Sequence, residues 1–371
     1  MIDSHLHAVA VAGQSIWSDQ ISRAMLDSGE LARRIGADAV TGVTSNPTIF
    51  ANAITGSDDY DRPLAELAAR GASVEEIYAH LVTADIRDAC DVLRPVFDAT
   101  EGRDGFVSVE VSPELAHDTE ATVAEAREWS KRVDRPNLLI KVPATPAGIP
   151  AITRLIGEGI SVNVTLIFSV ERYREVMDAY LTGLETFRRV GGDLSGVASV
   201  ASFFVSRMDT EVDRRLAEIG TPEALALRGE AAVANARVAY DEFLATFRGS
   251  RWRALADAGA RIQRPLWAST STKNPDYRDT LYVDTLVAPH TVNTMPLATI
   301  DAYQDHGPAK PRIVGPEEIA AARTTLDRLE AVGVDYDDVT ATLEREGVDK
   351  FVASYRGLIA DLREKRAALG G

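Results

Sequence analysis

The 371-residue sequence predicts an α/β fold whose parallel strands close into a barrel, and three observations lead there. Short apolar or alternating runs recur along the chain, separated by longer segments in which apolar residues return every three or four positions, the mark of strands alternating with helices. Such alternation with buried strands implies a parallel sheet joined by right-handed crossovers, either an open doubly wound sheet or a closed barrel. No Gly-rich turn of nucleotide type follows a strand, since neither GxGxxG nor GxxxxGK(S/T) occurs, and this favours a barrel that holds no nucleotide.

In chain order the predicted strands are residues 15–19, 42–45, 106–111, 138–142, 161–168, 197–204 and 262–269, with an eighth, weaker candidate between Leu281 and Thr294. The sequence does not fix that last strand; one arrangement makes Tyr277–Leu286 a helix and His290–Thr294 the strand. Residues 118–132 open with an acidic turn and carry Val123, Ala126 and Trp129 at helical spacing. Residues 170–190 place Tyr173, Met177, Tyr180, Leu184 and Phe187 on one stripe. Longer helices are predicted over 73–99 and 222–247, and 316–369 reads as two or three helices without a strand. The expected organisation is a tail over 1–14, a catalytic barrel over 15–300, and a helical extension over 301–371 packed on the barrel.

Composition bounds the function. With 45% hydrophobic residues the chain can bury a large core, and its single cysteine, Cys90, rules out a disulfide framework or a Cys-based zinc site. Against 56 Asp and Glu stand 40 Lys and Arg, a formal charge of −16 that repels nucleic acid and anionic lipid. No apolar run approaches a membrane span and the first residues lack a secretory pattern, so a cytoplasmic protein is expected.

Polar residues gather on one face of several strands. Alternation sets Ser108 and Glu110 opposite Val107, Val109 and Val111, and Ser161, Asn163 and Thr165 opposite Val162, Val164 and Leu166. In a barrel wrapped by helices that face is the interior, where unpaired polar groups are costly unless they build a site. Lys141 is the one cation in the run Leu138–Pro143, where desolvation favours a nucleophilic amine; a strand-end lysine snorkelling to water fits the same pattern. Schiff-base chemistry at Lys141 needs a proton shuttle, and Glu110, one strand earlier, is the right type of residue.

Asp19 could take a hydroxyl proton in carbon–carbon cleavage or cap a helix over 21–35. Asn46 precedes Pro47 and reads equally as a turn residue. Ser202 and Arg207 at the end of the sixth strand, and Lys273 in the next loop, suit a phosphate, although charged surface loops would look the same. A competing pattern, Asp3-Ser4-His5-Leu6-His7, has the DxHxH form of metal-dependent hydrolases, but the other four histidines avoid the clear strand ends that would complete such a site.

These motifs converge. Thr41-Gly42-Val43-Thr44-Ser45-Asn46-Pro47-Thr48-Ile49-Phe50 resembles the first transaldolase signature, and Leu139-Ile140-Lys141-Val142-Pro143-Ala144-Thr145 resembles that family's active-site lysine signature. The likeness continues in order through Trp17-Ser18-Asp19, Val109-Glu110-Val111, Asn163-Val164-Thr165 and residues 202–207, and the long helical tail resembles the family's actinobacterial branch.

The resemblance implies a (β/α)8 barrel of the class I aldolase type with additional helices and no cofactor. It implies transfer of a dihydroxyacetone unit from sedoheptulose 7-phosphate to glyceraldehyde 3-phosphate, in the pentose phosphate pathway. By the same likeness Lys141 forms the Schiff base, Glu110 and Thr165 shuttle protons through a water, and Asp19 is the base at cleavage. Asn46, Asn163, Ser202 and Phe204 would hold the donor, with Arg207 and Lys273 receiving the phosphate. The family's arginine in an Ala-Ser-Phe-Arg stretch is replaced here by Ala268-Ser269-Thr270-Ser271-Thr272-Lys273. A fructose-6-phosphate aldolase and a non-catalytic sugar-phosphate-binding barrel remain alternatives at this point.

Overall fold

Eight parallel strands close into a barrel in sequence order in the computed structural model, which describes residues 4–369. They are β1 (Gln14–Ser18), β2 (Val40–Val43), β3 (Phe106–Glu110), β4 (Leu138–Pro143), β5 (Val162–Ile167), β6 (Ser199–Phe204), β7 (Arg264–Ala268) and β8 (Thr291–Met295). The predicted strands recur within a few residues, and the uncertain eighth falls at the later of its two positions. The apolar Leu281–Asp284 ahead of it is a short helix packed against the barrel.

The helices begin where their caps stand. Asp118 accepts from Ala121 N at the start of Thr119–Val133, Ser169 from Arg172 N before Val170–Arg189, and Ser73 shares a capping box with Glu76 ahead of Val74–Ala99. The predicted helix over 222–247 is broken in two, Pro222–Leu225 and Ala231–Thr246, with Gly229 between them at φ +76°. Ser22, not Asp19, caps the first helix after β1, so the carboxylate of Asp19 is free of that task.

The interior is packed at its N-terminal end. Trp17 points inward, donates from Nε1 to Asp104 Oδ1 at 2.8 Å, and lies beneath the Arg264 guanidinium at 5.8 Å. Gly42, its partner across β1 and β2, leaves room for the indole; a Cβ there would come within 2.5 Å of the ring. With that end plugged, the polar face of the strands opens only toward their C-terminal ends, where barrel enzymes build their sites.

Within the expected tail, His5–Val11 form a helix that buries Leu6 and Val9 and packs on β1 and on helix Leu297–His306. That last helix completes the barrel and crosses the expected boundary at 300. His5 and His7, two positions apart on a helix, point roughly 200° apart and cannot chelate one ion together as they could on a strand; Asp3 lies outside the described residues.

The extension is two helices, Pro316–Ala331 and the 34-residue Tyr336–Leu369. The longer one crosses the C-terminal mouth of the barrel, touching β5, helix Ser206–Ile219 and helix Pro47–Thr55. It is fastened along its length by ion pairs of Asp338 with Arg215, Arg356 with Glu114 and Lys365 with Asp61. Gly347 lets it approach closely, since a Cβ there would lie 3.1 Å from Leu166 Cδ2 and 3.4 Å from the Arg207 guanidinium.

Candidate active site

Strand register builds the centre of the site. Glu110 on β3, Lys141 on β4 and Asn163 on β5 are successive partners across the ladder, so their side chains enter the barrel at one level. Lys141 is 4% exposed. Its Nζ stands 3.4 Å from Glu110 Oε2 and donates to the Ser45 carbonyl at 3.1 Å. Both Glu110 oxygens are buried without a well-formed hydrogen bond, as is Thr165 Oγ1 two residues beyond Asn163. Burial pushes the Glu110 carboxyl up to about 7, with Lys141 pulling it down less strongly.

A hydroxyl chain crosses the same floor. Ser202 Oγ donates to Asn163 Oδ1 at 2.7 Å, and Asn163 Nδ2 donates to Ser108 Oγ at 3.0 Å. These bonds tie the Asn163 amide to β6 beside it and to β3 across β4.

On the opposite wall Thr44 Oγ1 donates to Asp19 Oδ1 at 2.7 Å and meets Thr294 Oγ1 at 2.7 Å. A hydroxyl has one hydrogen, so when Thr44 donates to Asp19 it is Thr294 that donates to Thr44. Asn46, which the sequence offered as a turn residue or a site residue, is the N-cap of helix Pro47–Thr55, its Oδ1 accepting from Ile49 N at 3.0 Å, and the residue also lines the cavity over Lys141.

That cavity, about 120 Å³, is bounded by Asp19, Thr44, Asn46, Lys141, Ser202 and Phe204. Arg207, Lys273 and Phe351 stand on its outer side and also line a wider groove of about 800 Å³ leading to solvent. The Arg207 guanidinium lies over the Phe204 ring at 5.2 Å and the Phe351 ring at 5.8 Å, with no carboxylate in ion-pair range among the described residues. Burial pulls its pKa down, opposed by Glu110 and Glu346. Lys273 sits at the rim, held by Ser271 Oγ at 2.7 Å. Crowding lowers its pKa, helped by the charges of Lys350 and Arg207.

The ten residues singled out in the sequence thus fall at one end of the barrel, with Glu110, Asn163 and Thr165 in its floor and the others around the cavity. Phe351 and Thr294 belong to the same cavity and carry no motif. Helical stripe spacing could have nominated Phe351 for burial but not for this place. A second large groove of about 720 Å³ has Glu171, Asp327, Glu330, Asp335 and Asp337 in its lining against the single cation of Arg174, a balance that would repel an anionic substrate.

A buried lysine paired with a carboxylate at a barrel's C-terminal mouth could serve several Schiff-base enzymes, and comparison with known proteins narrows the choice. The model of the transaldolase/fructose-6-phosphate aldolase family matches residues 16–362. The chain belongs to this family. It is 58% identical to "Transaldolase 2" of Streptomyces avermitilis over 95% of both chains, and 58% identical to the transaldolase of Thermobifida fusca over 98% of this chain and 99% of that one. A transaldolase of Mycobacterium bovis is 56% identical over 97% of this chain and 96% of its own. The family match begins inside β1 and ends within the C-terminal helix, so the helix across the mouth is part of what is shared.

Proposed function

We propose that the chain transfers a dihydroxyacetone unit between sugar phosphates through a Schiff base on Lys141, taking it from sedoheptulose 7-phosphate to glyceraldehyde 3-phosphate and releasing erythrose 4-phosphate and fructose 6-phosphate. The observation that carries this reading is the buried Lys141 amine 3.4 Å from a carboxyl whose pKa is pushed up to about 7. Near-full-length likeness to proteins named transaldolase supports it.

Lys141 adds to the ketose C2, and Glu110, working through a water with Thr165, supplies the proton that removes the C2 oxygen as water. The unpartnered Glu110 and Thr165 oxygens support that role. Asp19 then takes the C4 hydroxyl proton, the C3–C4 bond breaks, and its electron pair moves into the iminium to give an enamine. The shortened aldose departs. The enamine C3 adds to the carbonyl of the acceptor aldose, Asp19 returns the proton, and hydrolysis frees the new ketose and the lysine.

The imine is itself the electron sink, so the reaction needs no cofactor. Asn46, Asn163 and Ser202 hold the donor hydroxyls along the rigid floor, Phe204 walls the cavity, and Arg207 with Lys273 receives the phosphate that a protein of net charge −16 must bind locally. A cytosolic setting goes with this reading, supported by the free, buried Cys90.

Borohydride reduction with fructose 6-phosphate tests the proposal. A covalent adduct mapped to Lys141, absent in Lys141→Met, is expected, together with turnover that depends on an acceptor aldose. Binding without an adduct would leave only a sugar-phosphate-binding barrel, and rapid release of dihydroxyacetone without acceptor would make the chain an aldolase.

A further inference from the structure

We infer that Phe351, carried by the C-terminal helix, is a positioning residue that keeps water from the enamine and thereby sets the balance between transfer and release of free dihydroxyacetone. The inference rests on the Schiff-base reading and adds to it a residue far from every motif.

Leu343, Gly347 and Phe351 follow one another at four-residue spacing, so they share one face of the helix, and that face looks into the barrel mouth. Gly347 brings the backbone down onto Leu166 and Phe168. One turn further on, the Phe351 ring reaches 5.9 Å from Lys141 Nζ while its own exposure is only 3%. The ring borders both the small inner cavity over the lysine and the wide outer groove, so it stands where the two meet.

The chemistry requires a wall there. A waiting enamine is lost when C3 takes a proton from solvent, which regenerates the iminium; water then adds to C2, and the carbinolamine expels the lysine to give dihydroxyacetone. Each turn of this side reaction consumes one water, and its first step consumes a proton that the second stage returns. A phenyl ring offers neither a proton nor a hydrogen bond to hold water, whereas it tolerates the adjacent cations of Lys141 and Arg207 on its face. The helix that carries it is pinned at both ends and in the middle by partners on the barrel, among them the Thr48 Oγ1 to Ser354 Oγ bond of 2.8 Å. The ring is therefore positioned rather than swept across the opening.

The test compares the parent with Phe351→Leu and Phe351→Ala, using fructose 6-phosphate as donor. The ratio of dihydroxyacetone released without acceptor to transfer onto an aldose should rise about tenfold in Phe351→Ala and by a smaller factor in Phe351→Leu, while borohydride still traps both variants on Lys141. A purely structural role would slow both fluxes together and leave the ratio unchanged, and that result overturns the inference. Should the alanine variant not fold, an unchanged ratio in the leucine variant does the same. Failure of the parent to trap at all would instead remove the Schiff-base reading itself.

Discussion

Lys141 and Glu110 are register partners on adjacent strands, with the amine 3.4 Å from a carboxyl that has no other close polar contact. Burial raises the Glu110 pKa to about 7, which suits a group that must give a proton in one half-reaction and take it back in the other. The activity of the parent should show a limb near pH 7 that vanishes in Glu110→Gln, with kcat lower by about 10²-fold or more. Stability carries the same signature. A carboxyl whose folded pKa lies above its unfolded value of 4.5 keeps its proton longer in the native state, so its contribution is complete at low pH and lost as pH rises toward 7. Melting curves between pH 4.5 and 7 should therefore converge in favour of Glu110→Gln as pH rises; parallel curves would contradict the assignment.

Asp19 receives a hydrogen bond from Thr44, which in turn receives one from Thr294, and this relay holds the carboxylate toward the cavity. Asp19→Asn should still form the borohydride adduct on Lys141 but cleave the C3–C4 bond about 10²-fold more slowly or worse. Thr44→Val removes the donor and keeps the shape; a loss of about tenfold in kcat with little change in KM is expected, a pattern that single-turnover measurements distinguish from weakened binding.

Strand parity made the centre of this site legible. In a barrel wrapped by helices, the polar side of an alternating strand has only the interior to face, so Glu110, Asn163 and Thr165 could be assigned to one face from the sequence, whereas Lys141, in an apolar run without alternation, could equally have reached out to water and is placed among them by strand register. Asp19 was ambiguous because the same side chain can cap a helix or face a substrate, and Asn46 because a residue before proline can be no more than a turn; Asn46 proves to cap a helix while bordering the cavity. The eighth strand was obscure for a different reason. Thr291-Val292-Asn293-Thr294-Met295 is polar for a strand, while the apolar Leu281-Tyr282-Val283 upstream, strand-like in composition, is a buried helical turn. Phe351 was invisible because its neighbours in space, Lys141 on β4 and Arg207 in helix Ser206–Ile219, are far from it in sequence, and a stripe of apolar residues on a helix shows that the face is covered without showing by what.

The two phosphate candidates should behave unequally. Arg207 is half-buried, stacked between two rings and, among the described residues, free of ion-paired carboxylates, so its guanidinium is preorganised for a bidentate contact. Lys273 is a point charge at the rim with one hydroxyl partner. Arg207→Ala should raise KM for fructose 6-phosphate about 30-fold or more, and Lys273→Ala by about three- to tenfold, each with a smaller effect on unphosphorylated acceptors. Lys273→Arg, which restores a fork, should bind phosphorylated substrates at least as tightly as the parent. Equal losses on phosphorylated and unphosphorylated sugars would reject the assignment.

The plug beneath the site offers a test of how tightly its floor is built. Gly42 faces the Trp17 indole so closely that an added methyl would lie within 2.5 Å of the ring, and the indole cannot retreat because Asp104 holds its N–H and Phe106 packs beside it at 6.3 Å. Gly42→Ala should cost about 1–3 kcal/mol through overpacking. The same chemical change at Gly36, in helix Glu30–Ala37 with nothing within 4 Å of the added carbon, should instead gain up to about 1 kcal/mol. The displacement at Gly42 has a second readout, because Asp19 follows Trp17 by two residues on the same strand end. A pushed indole tilts β1 and moves Asp19, the proposed base, away from the cavity, so Gly42→Ala should lower kcat as well as the melting temperature, while Gly36→Ala leaves kcat untouched. A Gly42→Ala enzyme that melts lower yet turns over at the parental rate would show that the floor and the base move independently.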